Sequence, residues 1–423
     1  MKDAIMLYLL LQIALQLNGQ PEIPDTFHPG FLQQHTYYFQ LQEDTLYGEG
    51  ANKLKAAIAE ARFAILGEYH GSHQLPKLTT ALLPHLHQSG YHNLALEVGP
   101  YSARILDSLS ADPPTTAQRL YELYSHYAAR SDIPIPFYDG VEGAKVLAEA
   151  SRLGFRLWGL DQEYFDAPLM LADELLKQAR GQEDYAEVLE AKNSFDSLFQ
   201  AALKKDEEGI KGYRMFQELT ESPVTKAFFA SFPENNRQAQ EIISALYTSW
   251  DIYDRHDLRD GFSHAHRIAY IRQNFLHHYQ AAEEEQPKVF VQIGALHAAK
   301  GYEFGVYDVG NLIHELAEAK GASSCHIYSM PRYSIEEGVQ KDALEEQPQH
   351  PESAFRAMGR PGQWALIELS GLREQLASRQ LILPEGPSLN RIKFLSENFD
   401  WVAIPPTDQG QQNNYSIHKS KQP

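Results

Sequence analysis

Short apolar runs rich in strand-forming residues recur along this chain at helix-length intervals, and several of them run directly into ionisable residues. Such alternation is the pattern of βα units built around a mainly parallel sheet. The runs are Phe63 to Leu66, Leu94 to Leu96, Arg156 to Leu160, Val289 to Ile293, His326 to Ser329, Trp364 to Leu369 and Trp401 to Ile404. Between the first two, Leu78, Leu82, Leu83 and Leu86 recur at helical spacing and Gly90 supplies a stop, which completes a βαβ unit. The expected fold class is therefore α/β, with a mainly parallel central sheet flanked by helices.

From residue 167 to residue 257 the pattern changes. Phe195, Leu198, Phe199 and Leu203, and later Ile242, Ile243, Leu246 and Trp250, fall at helix spacing with no strand-like run between them. This stretch reads as a helical insertion, or cap, that divides the core into residues 21–166 and 258–406. Residues 345–352 read as a loop, and the polar, Pro- and Gln-containing residues 407–423 as a disordered tail with little to bury. At the other end, Ala4 to Leu17 is an almost unbroken apolar run behind Lys2, too short to span a bilayer comfortably. It reads as the hydrophobic region of a secretory signal over residues 1–20, against the alternative of a buried first helix. The expectation is an exported protein, periplasmic or secreted, with no stable membrane span after signal removal.

Charge narrows the partners. A formal net charge of −19, with no basic stripe to offset it, repels phosphate backbones and excludes nucleic acid as an expected partner. Cys325 is the only cysteine, so no intrachain disulfide can form, and its apolar setting in Cys325-His326-Ile327-Tyr328 predicts a buried strand residue rather than a nucleophile.

The ends of the strand candidates are the most informative positions. Phe63 to Leu66 leads to Gly67-Glu68-Tyr69-His70-Gly71, Leu94 to Leu96 to Glu97, Arg156 to Leu160 to Asp161-Gln162-Glu163, and Val289 to Ile293 to Gly294-Ala295-Leu296-His297. In open α/β sheets ligands bind outside the carboxyl ends of the strands, so these groups are expected to converge on one crevice. Any one polar strand end is ordinary; four are better explained by a shared site. Ahead of the Val289 run, His264, Arg267, Ile271, Asn274 and His278 share one stripe of a helix. That stripe either places a guanidinium and an amide over the crevice or forms a solvated face.

A histidine beside a carboxylate can be oriented, made more basic and used to deprotonate water. On that reading Glu68, His70, Glu97, Arg267 and His297 form the catalytic set, with Arg267 or the second histidine stabilising an oxyanion. Tyr69, His73, Asp161, Glu163 and Asn274 would contact a small-molecule substrate. Alternatively His70 and His297, with Glu68 or Glu97, could hold a divalent metal with water in the open position, and His73 could join them. The chain has no Gly-x-Ser-x-Gly elbow, Walker-type loop or Cys-x-x-Cys pair, and His314-Glu315-Leu316-Ala317-Glu318 lacks the second histidine of a zincin helix.

These residues resemble the superfamily that joins erythromycin esterases with ChaN-like haem-uptake and TIKI-like proteins. Gly67-Glu68-Tyr69-His70-Gly71 looks like its Gly-Glu-x-His signature, and Leu94-Ala95-Leu96-Glu97 like the strand ending in glutamate. Arg267, Ile271 and Asn274 match the esterases' Arg-x-x-x-Met-x-x-Asn helix with isoleucine for methionine, and Lys288 to His297 looks like the next strand and its terminal histidine. The resemblance runs from about residue 60 to residue 300. It implies an α/β core with a helical insertion, His70 as general base, Glu68 and Glu97 as its orienting or substrate-positioning carboxylates, and Arg267 and His297 as further site residues. Glu68 and His70 are separated by Tyr69 alone, as in the ChaN-like branch, where the esterases usually place two residues. The implied functions are thus hydrolysis of an ester, lactone or amide or, alternatively, binding of haem or another small molecule without turnover, with Tyr69 or Tyr101 as an iron ligand. A third function is an idle scaffold whose insertion mediates protein contacts.

Overall fold

A computed structural model describes residues 25–258, 262–303, 305–383 and 385–415; the expected signal segment lies outside them. Nine strands form the main sheet: β1 (Thr36–Gln42), β2 (Thr45–Tyr47), β3 (Phe63–Glu68), β4 (Tyr91–Leu96), β5 (Arg156–Gly159), β6 (Lys288–Gly294), β7 (Ser324–Ser329), β8 (Trp364–Glu368) and β9 (Trp401–Ile404). Their spatial order is β2-β1-β8-β9-β7-β3-β6-β4-β5. From β9 to β5 every neighbour is parallel, whereas β8, β1 and β2 add an antiparallel edge. The fold is α/β with a large, mostly parallel central sheet flanked by helices, as the alternation of runs predicts.

Strand side chains alternate between faces, and here each face has its own core. Ala64 and Leu66 of β3, Leu94 and Leu96 of β4 and Phe290 of β6 point into one cluster, covered by the helices Gln74–Gln88, Pro100–Ser110 and Val141–Arg152. Phe63 and Ile65, Ala95, and Val289, Val291 and Ile293 point into the other, covered by Ser263–Ala281 and Val309–Ala319. Burial on both faces is why these strands read as continuous apolar runs rather than as alternating ones.

Between β5 and β6 the described residues hold helices and connecting loops and no strand: Pro168–Gln178, Tyr185–Glu207, Met215–Glu221, Pro223–Ala230 and Arg237–Asp257 precede Ser263–Ala281. Phe195, Phe228, Phe229 and Trp250 pack ring against ring at its centre. Their apolar cluster is continuous with the one beneath the first sheet face, so this region shares a core with the α/β part rather than building its own. Among the described residues no helix is long and apolar enough to cross a membrane.

Two segments depart from expectation, the first hairpin and the C-terminal segment. The β1–β2 hairpin, Thr36–Gln42 and Thr45–Tyr47, is absent from the strand candidates although it carries Tyr37, Tyr38, Phe39, Leu41 and Leu46; its turn is made by Glu43 and Asp44, both at positive φ (46° and 60°), the backbone of a tight hairpin. Residues 345–352 end a short helix, Ala343–Glu346, and then run as a loop whose last residue, Glu352, is buried and receives Arg356, Arg391 and the Tyr328 hydroxyl. The disordered tail expected at 407–423 is ordered through residue 415. Asp408 and Gln409 pair with Ser334 and Ile335, and Asp408 is only 3% exposed. This segment is held by backbone and side-chain hydrogen bonds, and a polar composition carries no trace of those.

Phe290 stands at the middle of the parallel array with no exposed surface. Phe290→Ala is expected to cost about 3–5 kcal/mol of unfolding free energy, read from urea denaturation. A loss well under ~1 kcal/mol would contradict the packing described here.

Candidate active site

Because β3, β6, β4 and β5 are consecutive in the sheet, their carboxyl ends lie side by side, and the residues leaving them face a common crevice. Glu97, directly after β4, lies at its floor with a side chain only 3% exposed. Burying a carboxylate requires partners for both oxygens. Oε2 accepts the Gly294 backbone N–H at 2.6 Å, and Oε1 accepts from Arg267 Nη2 at 3.0 Å. The guanidinium also donates through Nε and Nη2 to Asp161, at 3.0 and 2.5 Å, so one arginine ties the ends of β4 and β5 together. A side chain at Gly294 would place its Cβ 3.2 Å from Glu97 Oε2 and 3.3 Å from His70 Nε2, so glycine is what lets these groups approach the β6 backbone.

The two histidines sit on either side of Glu97. His70 has Nδ1 3.5 Å from Glu68 Oε1 and Nε2 3.8 Å from Glu97 Oε2, and its ring stacks on Phe137 at 4.4 Å between centroids. Glu68 is itself held by Gln292, which donates at 2.7 Å and in turn accepts from Thr79. At 46% side-chain exposure His70 is the most open of the group. His297 is the reverse: it is largely buried, with Nε2 3.6 Å from Glu97 Oε1 and Nδ1 2.7 Å from Asp308. For both rings burial opposes the charged form, but the neighbouring carboxylates outweigh it. Glu68 and Glu97 hold the His70 pKa above the usual imidazole value, and Asp308 and Glu97 do the same for His297.

Glu68, His70, Glu97, Asp161, Arg267 and His297 are thus brought together. The other sequence candidates are not. Glu163 is buried and caps the Pro100–Ser110 helix, accepting from the Tyr101 and Ser102 N–H groups and the Ser102 hydroxyl, with burial pushing its pKa up to about 7. Asn274 donates to the Leu160 carbonyl, and His278 stacks on Trp158 and meets the Gly159 carbonyl, so this part of the stripe fastens the helix to β5. His73 turns its ring towards Glu142, and burial lowers its pKa. The Tyr69 and Tyr101 hydroxyls are spent on Asp408 and Glu241. Neither is presented as an iron ligand.

Three contributors escape the sequence reading. Asp308 carried a signal, an N-cap residue opening the Val309–Ala319 helix. Gln292, inside a buried strand, and Phe137, in a loop, carried none.

Among the described residues Glu68, His70 and Glu97 form the group whose ligand atoms come within 4.8 Å of one another, the spacing a metal ion would need. Against a resident cation stands the adjoining Arg267 guanidinium, which would repel a second positive charge and which, with a backbone N–H and Gln292, already donates to Glu97 and Glu68.

Asp308→Asn tests the buried histidine, since asparagine can still cap the helix but cannot support imidazolium. A raised folded-state pKa at His297 contributes stability that is complete below the unfolded value near 6.5 and lost as pH rises through the folded value. The variant is therefore expected to be destabilised more at about pH 6 than at about pH 9 in urea titrations. An equal loss at both would show that the pair carries no charge.

No protein-family model matches the chain, and no curated protein matches it by sequence. Solved structures do. A protein from Bacillus cereus aligns at 14% identity and TM-score 0.53 over 91% of this chain and 98% of its own, and a succinoglycan biosynthesis protein at 15% and 0.53 over 91% and 97%. The erythromycin esterase EreC, as a histidine-to-asparagine mutant in its open conformation, aligns at 16% identity and TM-score 0.52 over 89% and 98%. At such identities the likeness is one of architecture: the chain has an erythromycin esterase-like fold.

Proposed function

We propose that the protein is a hydrolase that cleaves an ester, lactone or amide bond of a small molecule with water activated on His70. The observation that carries this reading is an imidazole held between two carboxylates at the mouth of a crevice whose floor bears a guanidinium and a second histidine. Neutral His70 accepts a proton from water as the oxygen adds to the carbonyl carbon; the imidazolium, supported by Glu68 and Glu97, returns it to the leaving oxygen or nitrogen as the acyl bond breaks. Arg267 bonds Asp161 and Glu97 through Nε and Nη2, and among the described residues Nη1 is the nitrogen with which it would meet the oxyanion. The architecture shared with an erythromycin esterase is compatible with this reading. Residues 1–20 would direct export, placing the enzyme in the periplasm or outside the cell.

His70→Ala is expected to lower kcat by roughly 10²–10⁴-fold on any ester that the wild type turns over, with the fold intact by circular dichroism. Wild-type rates in both His70→Ala and Glu97→Gln would end the proposal.

The base must be neutral, so activity should rise with pH through the His70 pKa, and the acid limb should lie above the free-imidazole value of about 6.5. Glu97→Gln removes a charge that favours imidazolium and should move that limb to lower pH. A limb that moves upward, or stays in place, assigns it to another group.

A further inference from the structure

The segment after β9 runs back across both loops that enclose His70. Asp408 is its anchor: Oδ2 accepts from the Tyr69 hydroxyl and, at 2.5 Å, from the Ser72 hydroxyl, while Oδ1 accepts the backbone N–H groups of His73 at 3.0 Å and Gln74 at 3.2 Å. These partners bracket His70 on both sides in the chain. Backbone bonds reinforce the grip, from His73 N to the Gln409 carbonyl and from Gln411 N to the Gly71 carbonyl, both at 3.1 Å.

The same segment then reaches the opposite wall. Val141 N donates to the Gln412 carbonyl at 2.9 Å, Asn414 N to the Asp139 carbonyl at 2.7 Å, and Tyr415 stacks on Tyr124. That wall carries Phe137, the ring on which His70 rests. Phe137 has a φ of +72°, a conformation that a bulky residue keeps only where its surroundings enforce it.

We propose that residues 406–415 are a strap that positions His70, with Asp408 as its positioning residue: one short segment fixes both the turn that bears the imidazole and the loop that bears the ring beneath it. The kinetic consequence rests on the hydrolase reading above, whereas the placement of His70 does not. Truncation or displacement of the strap would then switch the site off without touching a residue that meets substrate.

The test reads His70 directly. Its imidazole proton resonance, assigned by its absence in His70→Gln, should carry the upfield ring-current displacement of a ring stacked on Phe137. In Asp408→Ala that displacement should fall by roughly half or more and kcat by roughly tenfold or more, with KM changed far less, because a small misplacement of a base is costly to the chemical step. Asp408→Asn, which keeps an acceptor oxygen, should restore most of both. Should Asp408→Ala fail to fold, Tyr69→Phe removes one anchor while preserving packing and should give a smaller change of the same sign. An unshifted His70 resonance in folded Asp408→Ala, or in Tyr69→Phe if only that variant folds, overturns the strap. The resonance needs no substrate, so a protein that hydrolyses nothing would refute the hydrolase reading and leave the strap to be judged on its own.

Discussion

The structure at the crevice depends on the buried charge of Glu97. A carboxylate at 3% exposure is tolerated only with its oxygens matched, and the matching groups come from two places, the backbone at the end of β6 and Arg267 on the helix that precedes that strand, while the same arginine also binds Asp161 beyond β5. Removing one member of a fully buried ion pair costs about 3–5 kcal/mol; Arg267 is 30% exposed, so its loss would cost less. The cluster therefore holds three strand ends in one arrangement while leaving the charge pattern that makes a histidine basic. The most buried residue of the site is thus also the one that lies between the two histidines.

The two histidines differ in exposure. His297 is locked by Asp308 in a dry setting and contributes a fixed polar edge; His70 stands at the opening, where a proton can be exchanged with water or substrate. Two imidazoles sharing one glutamate are thus made unequal by their surroundings, which in the proposed mechanism would separate a stabilising from a proton-transferring role.

How much of this the sequence discloses depends on the kind of interaction. The parallel sheet was legible because fully buried strands leave continuous apolar runs, and Glu68, Glu97, Asp161 and His297 were legible because each comes at the end of such a run. Arg267 was legible from helical spacing. The same spacing argument placed Asn274 in the crevice, and it failed there because a stripe two turns long crosses from the site to the end of β5, where Asn274 meets the Leu160 carbonyl. Tyr69 and His73 lie apart from the central cluster for a related reason: successive residues of a tight turn point in different directions, and theirs lead to Asp408 and Glu142. The C-terminal strap was invisible because its cohesion lies in backbone hydrogen bonds and one buried carboxylate, and neither has a compositional signature.

The central claim is that His70 acts as a base supported by carboxylates rather than as a ligand to a metal, and metal content measured alongside turnover tests it most directly. The chain lacking residues 1–20 would be purified, analysed for bound metal and assayed on a panel of chromogenic esters and lactones in chelator-treated buffer. Turnover at far less than one metal per chain, unchanged by chelator, is the expected result. Turnover that appears only with one tightly bound metal per chain, with metal and activity lost together in His70→Ala, would contradict it.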